Sequence, residues 1–257
     1  MNVISSLEIL WPAFFAGVLV LLTHVPLGRQ VLNRGIIFID LAVAQAAATG
    51  ALGSQLLLEN SDPVWQQTGA LTAALGMVCV LHFLARRFAD IQEALIGGSF
   101  VLLASLAILL VSHDPHGGDN LHAALSGQML WVSTAQLVWL GVSAITCLVL
   151  LRYGRGELFS FYLPLAITVT ASVQAIGIYL VFACLIFPAL ACRGLATAKA
   201  IRRGMLTGLI GIACGLLLSL GSDLPSGPIT VITLALSALI LATPGKSGKH
   251  PLQSGPY

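Results

Sequence analysis

Residues Leu158–Cys192 read LFSFYLPLAITVTASVQAIGIYLVFACLIFPALAC and carry no Asp, Glu, Lys or Arg. A helix needs about 20 apolar residues to cross the hydrocarbon core of a bilayer. The stretch is too long for one span and too short for two full spans with a loop, while basic residues flank it on both sides. We therefore predict one spanning helix and a shorter helix that returns to the same side, with a break near residues 174–177. A single tilted helix with a re-entrant end is the alternative.

Broken helices are tolerated in a membrane where they line a cavity inside the protein, and in transporters they mark the path of the substrate. Gln174 and Gly177 lie at the predicted break. Pro188 is expected to interrupt the returning helix, because proline has no backbone N–H to donate. These three residues are candidates for a transport pathway, although each one alone favours a structural role.

The whole chain has the composition of a membrane protein. Only 9% of its 257 residues are charged and 57% are hydrophobic, with a mean hydropathy of +0.95. An ordinary soluble domain has about 25% charged residues, so these figures exclude a water-soluble globule. They also exclude an intrinsically disordered chain, which is rich in charge. The net charge of +2 offers no basic face for nucleic acid.

The charged residues divide the chain into long apolar runs. Eight runs have no charged residue: 9–28, 41–58, 63–85, 94–113, 120–151, 158–192, 204–222 and 224–245. Backbone groups in lipid must be satisfied within their own segment, so these runs should form helices. We predict an all-α, polytopic transmembrane bundle of about eight full spans plus one short or broken helix. It forms one integral-membrane domain over residues 1–244, followed by a polar, disordered tail over residues 245–257.

The basic residues predict the orientation of the bundle. All twelve Lys and Arg fall in clusters that can lie on one side, whereas the intervening loops are acidic or neutral. Because basic loops stay in the cytoplasm, the N-terminus is expected outside and the C-terminus inside an inner (plasma) membrane. The first run is interpreted as a retained span, since Glu8 precedes it where a cleaved signal would be basic.

Two polar residues near the start of the second run are candidate ligands. Asp40 opens this run and Gln45 follows five residues later. Ionisable groups inside a membrane are costly and are candidates for function. Asp40 can instead lie at the cytoplasmic interface and favour the start of a helix. His24 and His82 are expected to pack near the cytoplasmic ends of spans.

The outer loop over residues 113–122 contains His113, His116 and His122 together with two aspartates. Imidazole and carboxylate groups suit zinc and manganese. Facing outside, the loop would collect a metal ion before entry. The alternative is a solvated polar turn, because its glycine pair makes it flexible.

No enzymatic motif is present in the sequence. It contains no P-loop with the correct glycine spacing, no GxSxG and no HExxH. We therefore predict a transport chain that is not an enzyme and does not itself hydrolyse ATP.

Four stretches resemble one known family, the membrane permeases of ABC importers for zinc, manganese or iron. Gly28–Gly50, GRQVLNRGIIFIDLAVAQAAATG, is similar to the family's second-helix entry with its Gly-Asp-x-Leu-Ala-His-Ala motif. Val173–Cys192 resembles the signature that ends in Ile-x-Pro-Ala, with Pro188 on the proline. Ser222–Pro228, SDLPSGP, resembles the outer turn, formed here by Asp223, Pro225 and Gly227. Arg86–Gly97 resembles the entry to the fourth helix.

The resemblance implies a homodimer that imports a divalent metal ion as its substrate, with no permanently bound cofactor. Two cytoplasmic ATP-binding subunits would drive it, and an extracytoplasmic metal-binding protein would deliver the ion. Zinc is the first expectation because the outer loop is rich in histidine, and manganese and iron are the alternatives.

The chain departs from the family pattern in two places. The family's pathway histidine is absent, and its position falls on Gln45 or on Ala44, depending on the alignment. The cytoplasmic segment that docks on the ATPase is also missing between Arg155 and Phe161. Candidate ATPase contacts are therefore Arg86, Arg87 and Arg155. An ATP-independent metal carrier or channel of the same fold is the runner-up function, and a non-conducting assembly partner is the third.

Overall fold

The computed structural model describes residues 3–58, 62–111, 129–222 and 224–242, and this described part is almost entirely helical, without strands. Its α-helices, in chain order, are α1 (Val3–Arg34), α2 (Ile39–Leu58), α3 (Pro63–Arg87), α4 (Gln92–Val111), α5 (Thr134–Tyr153), α6 (Leu163–Ile176), α7 (Ile178–Ala191), α8 (Thr197–Ser222) and α9 (Ser226–Leu241). The predicted all-α class is confirmed.

Most of these helices have the length and apolar composition of transmembrane helices. Six helical stretches of the described chain are long and apolar enough to cross one: Leu10–Arg34, Pro63–Arg87, Ala89–Leu110, Thr134–Tyr153, Leu158–Ile176 and Thr197–Ser222. The sequence predicted about eight full spans. The two predicted spans that are not among these six are α2, with 20 residues, and α9, with 16. The polytopic bundle itself is confirmed.

Helices α6 and α7 form the centre of the bundle. All but three residues of α6 are buried, and α7 is buried along most of its length. Helix α6 packs against α2, α3 and α5, while α7 packs against α1, α8 and α9. The most apolar stretch of the sequence is therefore surrounded by other helices rather than by lipid.

Close helix contacts depend on small residues at the crossings. Gly28 of α1 lies against the main-chain carbonyl of Leu185 in α7, where a Cβ would overlap the oxygen. Helices α2 and α3 meet at Gly50 and Gly69, and a Cβ on Gly69 would lie 2.7 Å from the Gly50 carbonyl oxygen. Small residues at such crossings let backbones approach and pack without a hydrophobic driving force between helices.

The break predicted near residues 174–177 is found at Gly177. Helix α6 ends at Ile176 and α7 begins at Ile178, and Gly177 has φ 80° and ψ 161°. This conformation is essentially restricted to glycine. The π-helical turn Leu158–Tyr162 extends α6 at its start, so the charge-free stretch forms one spanning helix and one shorter helix, as predicted.

Pro188 does not interrupt the returning helix. It lies buried inside α7, which continues to Ala191. A proline close to the end of a helix removes only one of the last backbone hydrogen bonds, and the packing of α7 against its neighbours keeps these final turns helical.

A short connection joins α5 to the start of α6. Helix α5 ends at Tyr153, Gly154 caps it through its N–H to the Leu150 carbonyl at 2.7 Å, and the π-turn begins at Leu158. A Cβ on Gly154 would lie 2.7 Å from the Phe159 carbonyl oxygen. The connection between the two helices is therefore short and closely packed.

An ion pair ties the same connection to α1. Arg34 Nη1 lies 3.1 Å from Glu157 Oε1, and its guanidinium stands 4.3 Å from the centre of the Phe161 ring. The pair is exposed, and exposed ion pairs contribute about 0–1 kcal/mol. It therefore aligns the ends of α1 and α6 without locking them together.

Candidate functional site

Asp40 lies at the start of α2 and is completely buried. The preceding turn is tied to α4 because the Phe38 N–H donates to Glu93 Oε1 at 3.3 Å. The Asp40 side chain has 0% exposure, and neither carboxylate oxygen has a hydrogen-bond partner among the described residues. Asp40 is thus shielded by the surrounding helices, although it lies in the first turn of α2.

A buried carboxylate without partners is costly, because its hydration is lost and not replaced. The positive end of the α2 dipole offsets part of this cost. The Cys184 thiol of α7 lies within electrostatic range of Asp40. A cation beside Asp40 would supply the missing partner.

Gln45 is nearly as buried as Asp40, with 2% exposure. Residues five apart on an α-helix are separated by about 140° around its axis, at 3.6 residues per turn. Asp40 and Gln45 therefore do not point to one site, whereas Ala44, four residues after Asp40, lies on the face of Asp40. Ala44 is buried and carries no ligand. Across the described ranges, no group of three or more His, Cys, Asp or Glu side chains could hold a metal ion.

His24 is a second buried ionisable residue. It was expected near a cytoplasmic helix end, but it has 0% exposure within α1, which continues ten residues further to Arg34. Its Nδ1 lies 3.0 Å from the Val20 carbonyl and 2.9 Å from Thr23 Oγ1, while Nε2 is buried with no partner in the described part. The only hint in the sequence was a histidine inside a charge-free run.

His82 remains close to its expected place at the end of α3. It is partly buried, and its ring meets Tyr162 edge-to-face with 5.0 Å between ring centres. This contact joins α3 to the start of α6 and is a packing interaction, as expected.

The helix break is held in place by an amide contact. Gln136 at the start of α5 donates from Nε2 to the Gln174 main-chain carbonyl at 2.7 Å. The Gln174 Nε2 is itself buried without a partner in the described residues. One amide group without a partner thus lies one turn before Gly177.

Helix α8 ends at Ser222 and α9 begins at Ser226, so the glycine of the predicted turn belongs to α9. Pro225 caps the start of α9 and Gly227 is buried in its first turn. Ser219 Oγ donates to the Leu224 carbonyl at 2.7 Å and closes the turn. Asp223, and also His113, His116 and His122, lie outside the described residues.

The candidate ATPase contacts are exposed. Arg86 and Arg87 end α3, and Arg155 stands in the connection between α5 and α6. Arg155 is followed by Gly156 with φ 79°, so the chain turns sharply there. These residues are accessible to a partner protein.

Comparison with known proteins identifies the type of bundle. Residues 6–164 and 158–243 match the ABC 3 transport family. The chain belongs to this family. Members are membrane subunits of transporters and are not themselves enzymes, so the resemblance seen in the sequence and the prediction of a non-enzymatic transport chain are both confirmed.

Two curated membrane proteins are similar to the chain over most of its length. An uncharacterized membrane protein of Synechocystis sp. is 26% identical, with 91% of this chain and 89% of the relative covered. An uncharacterized membrane protein of Cyanophora paradoxa is 28% identical, with 67% and 66% covered.

Two solved structures share the fold. PsaBC of Streptococcus pneumoniae, in complex with an Fab, matches with a TM-score of 0.74 and 18% identity over 97% of this chain and 98% of that one. An inward-facing transporter described as metal-chelate type matches with a TM-score of 0.65 and 17% identity over 89% and 83%. At these identities the likeness shows the fold alone.

Proposed function

We propose that this chain is the permease of an ABC importer for a divalent metal ion, with zinc as the first choice and manganese or iron as alternatives. The observation that carries the proposal is Asp40, a fully buried carboxylate with two unpartnered oxygens inside a transporter bundle. A negative charge in such surroundings favours a positively charged substrate. The likeness to a transporter described as metal-chelate type supports the same substrate class.

A substrate site differs from a structural metal site, because the ion must leave again. Structural zinc is held by four ligands, whereas conduction requires binding weak enough for release. Asp40 provides one carboxylate, without a cluster of further ligands in the described part. This arrangement fits a substrate site that binds the ion weakly. In this proposal Asp40 binds the ion transiently, Gln174 and the break at Gly177 line the path, and Gln45 supports α2 from another face.

The energy for import comes from partner chains in this proposal. The chain works as a homodimer with two cytoplasmic ATP-binding subunits, and an extracytoplasmic metal-binding protein delivers the ion. Its N-terminus lies outside and its C-terminus lies in the cytoplasm, as the basic clusters indicate. The exposed Arg86, Arg87 and Arg155 are the proposed contacts with the ATP-binding subunit.

Purification of the chain from its native membrane tests whether it has an ATP-binding partner subunit. The tagged chain is expected to bring down a nucleotide-binding subunit. The double variant Arg86→Glu and Arg87→Glu is expected to reduce the recovery by about tenfold or more, because reversing charges across an interface costs several kcal/mol. The variant Arg152→Glu is the control, since it changes another exposed arginine. Recovery of the membrane chain without any nucleotide-binding subunit would contradict the proposal.

An ATP-independent metal carrier is the second candidate. The short connection over residues 154–157 favours it, because the family's docking segment is absent there. Metal uptake by purified chain in vesicles without ATP or partners would support the carrier. Uptake that requires the ATP-binding subunit and ATP would support the importer.

The choice of zinc rests on the histidines of the outer loop. Replacing His113, His116 and His122 together by Gln is expected to slow zinc uptake several-fold at scarce metal and to leave uptake at abundant metal unchanged, since the loop would only collect the ion. Uptake of zinc, manganese and iron by intact cells is the measurement. Unchanged zinc uptake at scarce metal would support a solvated turn instead.

A further inference from the structure

A cleft of about 330 Å³ opens between the start of α8 and the end of α9. Three cationic and three leucine side chains line it: Lys199, Arg202, Arg203, Leu195, Leu206 and Leu241. It lies at the ends of the two helices, beside the turn that follows α7. The cleft is separate from Asp40 and from the helix break, so the transport proposal does not account for it.

The arginine at the base of the cleft is held in one orientation. Arg203 donates from Nε at 2.9 Å and from Nη2 at 2.6 Å to the Leu241 main-chain carbonyl. This bond caps the end of α9 and fixes the guanidinium plane, which leaves Nη1 available for another acceptor. Lys199 and Arg202 are exposed at the mouth.

Positive charge accumulates around the cleft without compensation from its walls. Arg29 of α1 donates to the Thr197 carbonyl at 3.4 Å, which brings a fourth cation to the start of α8. No acidic residue is among the lining side chains.

The apolar part of the cleft continues onto the outer surface of the bundle. Leu206 is 52% exposed, and Leu239 and Ile240 in the last turn of α9 are 75% and 79% exposed. In a membrane protein such side chains contact acyl chains. A ligand that places an anionic group among the cations and acyl chains against these residues would satisfy both parts of the cleft.

We propose that the cleft formed by Lys199, Arg202, Arg203 and the surrounding leucines binds the phosphate headgroup of an anionic phospholipid. Basic pockets between transmembrane helices on the cytoplasmic side recognise such headgroups, and guanidinium groups match phosphate geometry. The bound lipid bridges α8, α9 and the turn after α7. The C-terminal segment from residue 243 is a poor occupant, because it carries Lys246, Lys249 and no acidic residue.

Thermal unfolding of the purified, delipidated full chain tests the proposal. Phosphatidylglycerol is expected to raise the unfolding temperature by several degrees, and phosphatidylcholine to leave it unchanged. The double variant Lys199→Gln and Arg202→Gln is expected to bind phosphatidylglycerol about 25-fold more weakly, because each basic residue near an anionic lipid contributes about fivefold. Both side chains are exposed, so the variant should fold.

The control is Arg86→Gln with Arg87→Gln, which removes the same charge from the end of α3. This control should keep the wild-type response to phosphatidylglycerol. Equal responses to phosphatidylglycerol and phosphatidylcholine would overturn the proposal, as would an equal loss in the two double variants. A shift produced equally by inorganic phosphate would show a site for free anions and would also overturn it. Native mass spectrometry of the wild type, with retained phosphatidylglycerol but not phosphatidylcholine, would support it independently.

Discussion

Replacing Asp40 by asparagine is expected to reduce metal uptake by at least about tenfold, while the folded chain becomes no less stable. Loss of a group that supports metal binding typically costs 10–100-fold. The same change removes a buried, unpartnered carboxylate, whose burial opposes folding. Asparagine keeps nearly the same volume, so the packing of α2 should be retained. Uptake of labelled metal by cells and thermal unfolding in detergent are the two measurements.

Metal uptake is expected to fall while stability does not, and this combination distinguishes a substrate-binding residue from a structural one. If Asp40 only stabilised the start of α2, the variant would lose stability together with uptake. Asp90→Asn is the matched control, because Asp90 is an exposed aspartate in the first turn of the short helix Ala89–Ile91. Wild-type uptake by Asp40→Asn at scarce metal would contradict both its role in the path and the observation on which the metal proposal rests.

Replacing Gly177 by alanine is expected to destabilise the bundle by about 1–3 kcal/mol, because φ 80° with ψ 161° is strained for any residue with a Cβ. A helical conformation at residue 177 is no more favourable. Joining α6 and α7 into one helix would make a rod of about 50 Å, at 1.5 Å per residue over residues 158–191, for a hydrocarbon core of about 30 Å. The variant should therefore unfold at a lower temperature and lose uptake.

The control for Gly177 is Gly141→Ala in α5. A Cβ on Gly141 meets nothing within 4 Å, and alanine in a helix interior is more favourable than glycine by about 0.5–1 kcal/mol. This control should be as stable as the wild type or more so. A Gly177→Ala chain that unfolds at the wild-type temperature would show that the break does not depend on the glycine conformation.

The sequence was sufficient where a local signal and a length limit acted together. Residues 158–192 were too long for one span and contained a glycine, so the break could be located within a few residues. Burial was harder to predict, because it depends on the neighbouring helices. His24 lies inside the bundle because α1 continues past Arg29 to Arg34, and the charged residues suggested an earlier end.

The relative orientation of Asp40 and Gln45 is a second example of what the sequence alone did not reveal. Both were candidate metal ligands, but five residues on a helix turn the second side chain away from the first. The missing partners of Asp40 could not be predicted at all, since the sequence does not say which helices pack around α2. The packing of α2 against α3, α4 and α6 supplies that information.

The short connection over residues 154–157 restricts the motion of α5 and α6 relative to each other. Gly154 packs against the Phe159 carbonyl, so the adjoining ends of α5 and α6 have little freedom to move relative to each other. Its other end is also braced, because Gln136 holds the Gln174 carbonyl. Because the two helices are tied at both ends, we expect α5, α6 and the break at Gly177 to move together as one unit in any conformational change.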